Sequence, residues 1–175
     1  MTRFCCFALL ATVFVATPPA GAQQTPAGQG HEMHATMSED ERAIAAVVHE
    51  LFDAMRTGDS TTVRRVFHPQ TRMMTSFRRA GEPVLDIEEG VDGFVRAVGT
   101  PHEQVWDERI WDLHIRTDAD YGIAWMNYAF FLGETFSHCG INLFQVARDT
   151  DGWRIVGIAD TRRREGCDLP DSVRG

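Results

Sequence analysis

The stretch Phe136–Val146, FSHCGINLFQV, sets a histidine, a cysteine and a glycine side by side in a run otherwise apolar enough for a buried strand. Those residue types could serve four chemistries: a metal site, a thiol nucleophile with a histidine base, a disulfide, or the polar lining of a pocket. Side chains alternate between the two faces of a strand. Phe136, His138, Gly140, Asn142, Phe144 and Val146 therefore share one face, and Ser137, Cys139, Ile141, Leu143 and Gln145 the other. His138 and Cys139 point apart, which removes the nucleophile–base pair unless a bulge at Gly140 resets the alternation. A metal needs three or four converging ligands. The histidines at 31, 34, 49, 68, 102, 114 and 138 form no recognised ligand spacing, so no metal is expected.

The compartment decides what the cysteines do. The chain opens with Arg3, an apolar run from Phe4 to about Ala16, and then Ala20-Gly21-Ala22. That run is shorter than the ~20 apolar residues a membrane-spanning helix needs, and the pattern is that of an export signal cleaved after about Ala22. Residues 1–22 are thus expected to be a signal peptide, and the protein to be exported, periplasmic or extracellular, without a membrane anchor. Their removal takes Cys5 and Cys6 away and leaves Cys139 and Cys167, an expected disulfide pair. The geometry is demanding, because Cys167 falls beyond the strand opposite Cys139 and needs a chain reversal near Gly166. Loss of Arg3 takes the net charge from −8 to −9. An acidic exported chain lacks the clustered positive charge that nucleic-acid binding requires. All 17 basic residues are arginine, so no lysine can form a Schiff base, and no glycine-rich phosphate loop is present. No cofactor is expected.

The elements that position these residues can be read in turn. Residues 23–37 carry Gln, Gly, Pro, Thr and His without periodicity and read as a flexible leader. Ser38 with Glu41 forms a capping pattern, and Ile44, Val47, Val48, Leu51, Phe52 and Met55 follow at helical spacing up to Gly58. A short helix is expected over Ser60–Phe67, ending before Pro69. Two short strands follow, Met73–Phe77 and Val84–Leu85, then a third helix over Ile87–Val98 with Asp86 as its N-cap. Four strands close the sequence: Val105–Arg116, Tyr121–Leu132, Thr135–Arg148 and Trp153–Arg163. Their short links require antiparallel neighbours. This order predicts an α+β domain over residues 38–165, with helices packed on one face of an antiparallel sheet, and a tail over 166–175.

AIAAVVHELFDAMRTGDSTTVRRVFHP near the start and DGWRIVGIADT near the end resemble the nuclear-transport-factor-2-like superfamily, and within it the small SnoaL-like and lumazine-binding bacterial domains. The resemblance implies a cystatin-like cone: a strongly curved sheet wrapped around about three N-terminal helices, with an apolar pocket inside. It does not fix a function, because this fold hosts enzymes and binding modules alike. The catalytic patterns of the dehydratases and ketosteroid isomerases find no clean match.

On that frame His138 and Asn142, set among Phe144 and Val146, become pocket lining, joined by Trp125 and Asn127 from the neighbouring strand and Phe52 from the first helix. Asp160, in VGIADT, is either paired with an arginine such as Arg162 or poised as an acid or base. Three functions stay open. The chain binds a small, mostly apolar molecule; or it is a cofactor-free isomerase, cyclase or dehydratase using His138 and Asp160; or it is an interaction module whose pocket is filled by its own side chains. Apolar residues on both faces of the last two strands, Ile141, Leu143, Val156 and Ile158 against Phe144, Val146, Trp153 and Ile155, predict a homodimer.

Overall fold

Helix α1 (Glu39–Thr57) starts at the expected cap: the Ser38 hydroxyl accepts from the Glu41 N–H, and the Glu41 carboxylate accepts from the Ser38 N–H. It stops at Gly58, whose φ of +73° suits glycine. Its apolar stripe, Ile44, Val48, Leu51, Phe52 and Met55, is buried. Each such side chain contributes roughly 1.5–3 kcal/mol by leaving water. The structure is a computed structural model that describes residues 37–174. The expected signal peptide, and the leader up to residue 36, lie outside the described residues.

Helix α2 (Ser60–Val66) is capped by Asp59, which accepts from the Thr61 and Thr62 N–H groups. Phe67 is already extended and opens strand β1 (Phe67–Arg79). Strand β2 (Glu82–Glu89) pairs antiparallel with β1, in a register that sets Thr75 opposite Asp86 and Met74 opposite Ile87. This corrects the third helix: α3 spans Asp92–Gly99, and Asp86 is a strand residue rather than its cap. Pairing with β1 outweighs the local helical pattern, and Gly90, at φ +82°, makes the break between the two elements.

Strands β3 (Trp106–Asp118), β4 (Tyr121–Leu132), β5 (Thr135–Asp149) and β6 (Gly152–Arg162) run antiparallel by short turns, as expected. The sheet order is β2-β1-β6-β5-β4-β3, curved and unclosed. One pairing is parallel, β1 with β6, a feature that the turns could not reveal. The concave face takes Ala124, Met126, Phe144, Val146, Ile155 and Ile158 into one core with α1.

A bulge in β6 changes one expected face. Gln145 pairs with Gly157 and Val146 with Ile155, so Val156 is the extra residue. Ile158 therefore packs into the concave core beside Phe144 instead of facing outward with Ile141 and Leu143. The same shift carries Asp160 and Arg162 onto the concave side.

The tail makes the expected reversal and disulfide. Gly166 adopts φ +66°, the chain reverses, and Cys167 bonds to Cys139 with 6.1 Å between their Cα atoms. A short helix, α4 (Asp171–Arg174), follows. Val173 is buried in a second, smaller cluster with Ala129, Phe131 and Cys139 on the convex side of the sheet. Arg109 clamps it, donating to the Val173 carbonyl at 2.8 Å while its guanidinium lies 4.1 Å from the centre of the Phe131 ring. Among the described residues, no helix is long and apolar enough to cross a membrane.

Candidate functional site

Strand register brings one polar row together on the concave face: Asp86, Thr75, Asp160 and Asn142 are successive cross-strand partners on β2, β1, β6 and β5. Polar groups on a face that is otherwise core must satisfy one another. They do. Thr75 donates to Asp160 Oδ1 at 2.6 Å, and Arg162 Nε and the Tyr128 hydroxyl donate to Oδ2 at 2.8 and 3.2 Å. Asn142, only 4% exposed, donates through Nδ2 to Glu108 Oε1 at 2.7 Å.

Gly140 is what allows Tyr128 to join this network. A Cβ at position 140 would stand 1.7 Å from the Thr161 carbonyl oxygen and 2.9 Å from the Tyr128 ring. With no side chain there, the tyrosine crosses β5, and its single hydroxyl hydrogen is shared between Asp160 and the Thr161 carbonyl on β6, 3.0 Å away. The glycine beside His138 and Cys139 is thus a close approach of chain to ring. His138, on the same face, lies edge-on to Tyr128 at 5.7 Å and tilted against Phe130 at 5.2 Å, with Ser137 Oγ 3.0 Å from its Nδ1.

Burial sets the proton affinities. It raises the Glu108 carboxyl to about 7, against the hydrogen bond from Asn142, which favours the anion; the charge of Asp160 adds to the rise. Burial, helped by the neighbouring Arg162 charge, lowers His138 to about 4, so this ring is neutral at neutral pH. The Tyr128 hydroxyl is pushed upward by burial and by the carboxylates of Asp160 and Glu108. Burial pulls Arg162 down, but its bond to Asp160 prevails and the net shift is upward. The arrangement offers one carboxyl near its midpoint at neutral pH, a neutral imidazole and an aromatic wall.

The expected site residues divide into three groups. His138, Asn142 and Asp160 share the concave face, Asp160 in an ion pair with Arg162. Phe52 and Phe144 touch each other, ring centres 5.8 Å apart, in the closed core under the helix. Trp125 and Asn127 lie on the convex face, where they pair with Leu143 and Ile141. Counting from Met126, which is opposite Asn142, would have excluded both. Sequence reading missed Glu108 and Tyr128. The signal for Glu108 was present in VWDERIWDL: it stands between Trp106 and Ile110, at the two-residue spacing of the inward side. Among the described residues, no group of three His, Cys, Asp or Glu is arranged to hold a metal ion.

At its outer end the polar row opens into a cleft of about 1380 Å³ between the β1–β2 hairpin and the ends of β5 and β6. Thr75, His138 and Arg162 line it, whereas Glu108, Asn142 and Tyr128 lie behind them and do not.

Comparison with known proteins identifies the family and the fold. The family described as "Putative lumazine-binding" matches residues 39–158. Among solved structures, one from Novosphingobium aromaticivorans with a cystatin-like fold is 14% identical, covering 78% of this chain and 87% of that one at a TM-score of 0.59. One from Nostoc punctiforme, also cystatin-like, is 9% identical, covers 74% of this chain and 95% of that one, and has a TM-score of 0.59. One from Shewanella baltica is 12% identical, with 74% and 100% coverage and a TM-score of 0.56. Identities this low speak for the fold alone. No curated protein matches the chain.

Proposed function

That the chain belongs to the lumazine-binding family of nuclear-transport-factor-2-like domains is the premise from which we propose that it holds a small ring molecule in the recess bounded by Glu108, Asn142, Tyr128, Phe130 and His138. The observation that carries this reading is the Glu108–Asn142 pair, 2.7 Å apart, at the inner end of the concave polar row. Asn142 satisfies one carboxyl oxygen and leaves the other, protonated about half the time near pH 7, to give or take a hydrogen bond. Phe130, Tyr128 and the neutral His138 supply a wall for a flat apolar body. Lumazine, a planar heterocycle with ring N–H and carbonyl groups on one edge, has this chemistry. Export suits the reading, since the Cys139–Cys167 disulfide is at home in an oxidising compartment.

Fluorescence titration with lumazine tests it. Saturable binding is expected in the wild type, retained in Glu108→Gln, which keeps the neutral hydrogen-bonding shape, and weakened about tenfold in Glu108→Ala and Asn142→Ala. Equal affinity in all four proteins would reject the site. A pocket filled by its own side chains would show no binding in any of them.

A second reading, acid/base catalysis, is favoured by the near-neutral carboxyl of Glu108. Asp160 is saturated by Thr75, Tyr128 and Arg162, so the proton-handling role passes from the expected His138–Asp160 pair to Glu108 with His138. Turnover lost in Glu108→Gln while binding persists would mark an enzyme.

The convex face supports a homodimer. One register row crosses all six strands there: Ile87, Met74, Ala159, Leu143, Trp125 and His114. Ile87 is 47% and Trp125 43% exposed. A row that is apolar from Ile87 to Trp125 suits a second copy of the same face.

A further inference from the structure

Of the side chains bounding the proposed ring recess, only His138 also lines the cleft. The rest of the cleft runs along the β1–β2 hairpin and the end of β6, where five arginines converge: Arg78, Arg79, Arg162, Arg163 and Arg164. That is a marked concentration in a chain whose net charge is −8. Arg162 is neutralised by Asp160. Among the described residues the other four make no ion pair. Arg78 donates to the Gly81 carbonyl, Arg79 lies 5.3 Å from the centre of the Phe77 ring, and Arg163 reaches the Gly166 carbonyl at 3.4 Å. Three acids also border the cleft, Asp86, Glu88 and Glu165. Glu88 is turned toward the first turn of α3, where its Oε1 occupies the space a Cβ on Gly93 would need, 2.7 Å away. Four unpaired guanidinium groups thus face two carboxylates.

We infer that the ligand of the recess carries an anionic group, a carboxylate or phosphate, seated between Arg163, Arg164 and the Arg78–Arg79 hairpin tip. The inference takes the recess as the binding site and adds the charge and length of what it holds: a flat neutral head at Glu108 and Asn142, and a negative tail reaching the cleft mouth. Guanidinium forks bind such groups with paired hydrogen bonds, and gathering several of them along one cleft strengthens the local field. His138, which also lines the cleft, is held neutral chiefly by burial, with smaller contributions from the Arg162 and Arg164 charges.

The anion contact can be tested apart from the head group. Arginine Nε–Hε signals are followed by NMR while inorganic phosphate, and in parallel acetate, is added at constant ionic strength. Saturable shifts are expected at Arg163 and Arg164 and not at Arg72, which is paired with Glu89 on β2 and does not line the cleft. No saturation with either ion, or equal drift at Arg72, overturns the proposal. In a second arm, riboflavin and riboflavin 5′-phosphate are titrated as neutral and anionic versions of one ring probe. The phosphate is expected to tighten binding about tenfold, and the Arg163→Gln/Arg164→Gln double variant to lose that gain while keeping the affinity for riboflavin. Equal affinities for the two probes in the wild type would also overturn it. Saturation by phosphate with no binding of riboflavin would remove the ring-recess reading and leave the anion seat standing.

Discussion

Holding a carboxyl inside the sheet makes Glu108 easier to protonate folded than unfolded, and this has a thermodynamic signature. Its affinity rises from 4.5 to about 7, so the folded state binds the extra proton between those values and stability falls as pH rises through that window. The loss amounts to about 3 kcal/mol at most. His138 works in the opposite sense: lowered from 6.5 to about 4, it makes stability rise with pH over that interval. The two slopes offset between about pH 4.5 and 6.5. In Glu108→Gln only the histidine slope should remain, and the variant should gain on the wild type by up to about 3 kcal/mol above pH 7. Urea melts at pH 5, 6 and 7.5 would show it, and a constant difference across the three would refute the assignment. Gly140→Ala belongs to the same scale. The methyl group would enter the Thr161 carbonyl, so the variant should lose 3 kcal/mol or roughly more, read as a lowered melting temperature. At this scale the sequence was legible where alternation ran unbroken within one strand, as for His138 and Asn142, and failed for Phe136, which the extra residue Ser137 turns into the convex cluster. It was not legible where faces had to be carried from strand to strand, as for Trp125 and Asn127.

Two elements owe their form to pairing that local pattern cannot express. Residues Ile87–Glu89 carry a helical signal yet extend β2, because β1 supplies hydrogen-bond partners as far as Glu89. The extra residue at Val156 turns Ile158 and Asp160 inward, and no propensity marks a bulge in VGIADT. By contrast, the capping box of α1 and the turns between β3 and β6 were written in residue types that act within a few positions. The tail lies between these cases: the cysteine pairing was readable, its consequence was not. Pinned at Cys139 and Cys167, the tail places Val173 over Ala129 and Phe131. Opening the loop, a separation of 28 residues, by Cys139→Ser/Cys167→Ser should cost about 3–4 kcal/mol in chemical melts. It should also raise the hydrogen exchange of the Val173 amide, which otherwise donates to Pro170. A melt unchanged by the double substitution would show that the bond constrains nothing.

The sheet divides its work between two faces. The concave side pairs a closed apolar core under α1 with the polar row of Thr75, Asp160 and Asn142, and the convex side is covered by the tail at one end and open along its central row. If that row is a dimer face, Trp125→Glu with Leu143→Glu should convert a dimer to a folded monomer in multi-angle light scattering. A wild type that is monomeric at micromolar concentration would contradict it. Such a change on the convex face should leave the recess intact, which separates assembly from binding. The central claim is that the concave polar recess is where a ligand sits. Amide and side-chain NMR shifts on adding lumazine test it most directly. The account predicts the largest perturbations at Glu108, the Asn142 side-chain amide, Tyr128 and His138, with Trp125 and Asn127 unmoved; perturbations centred on Trp125 and Asn127, or none anywhere, would contradict it.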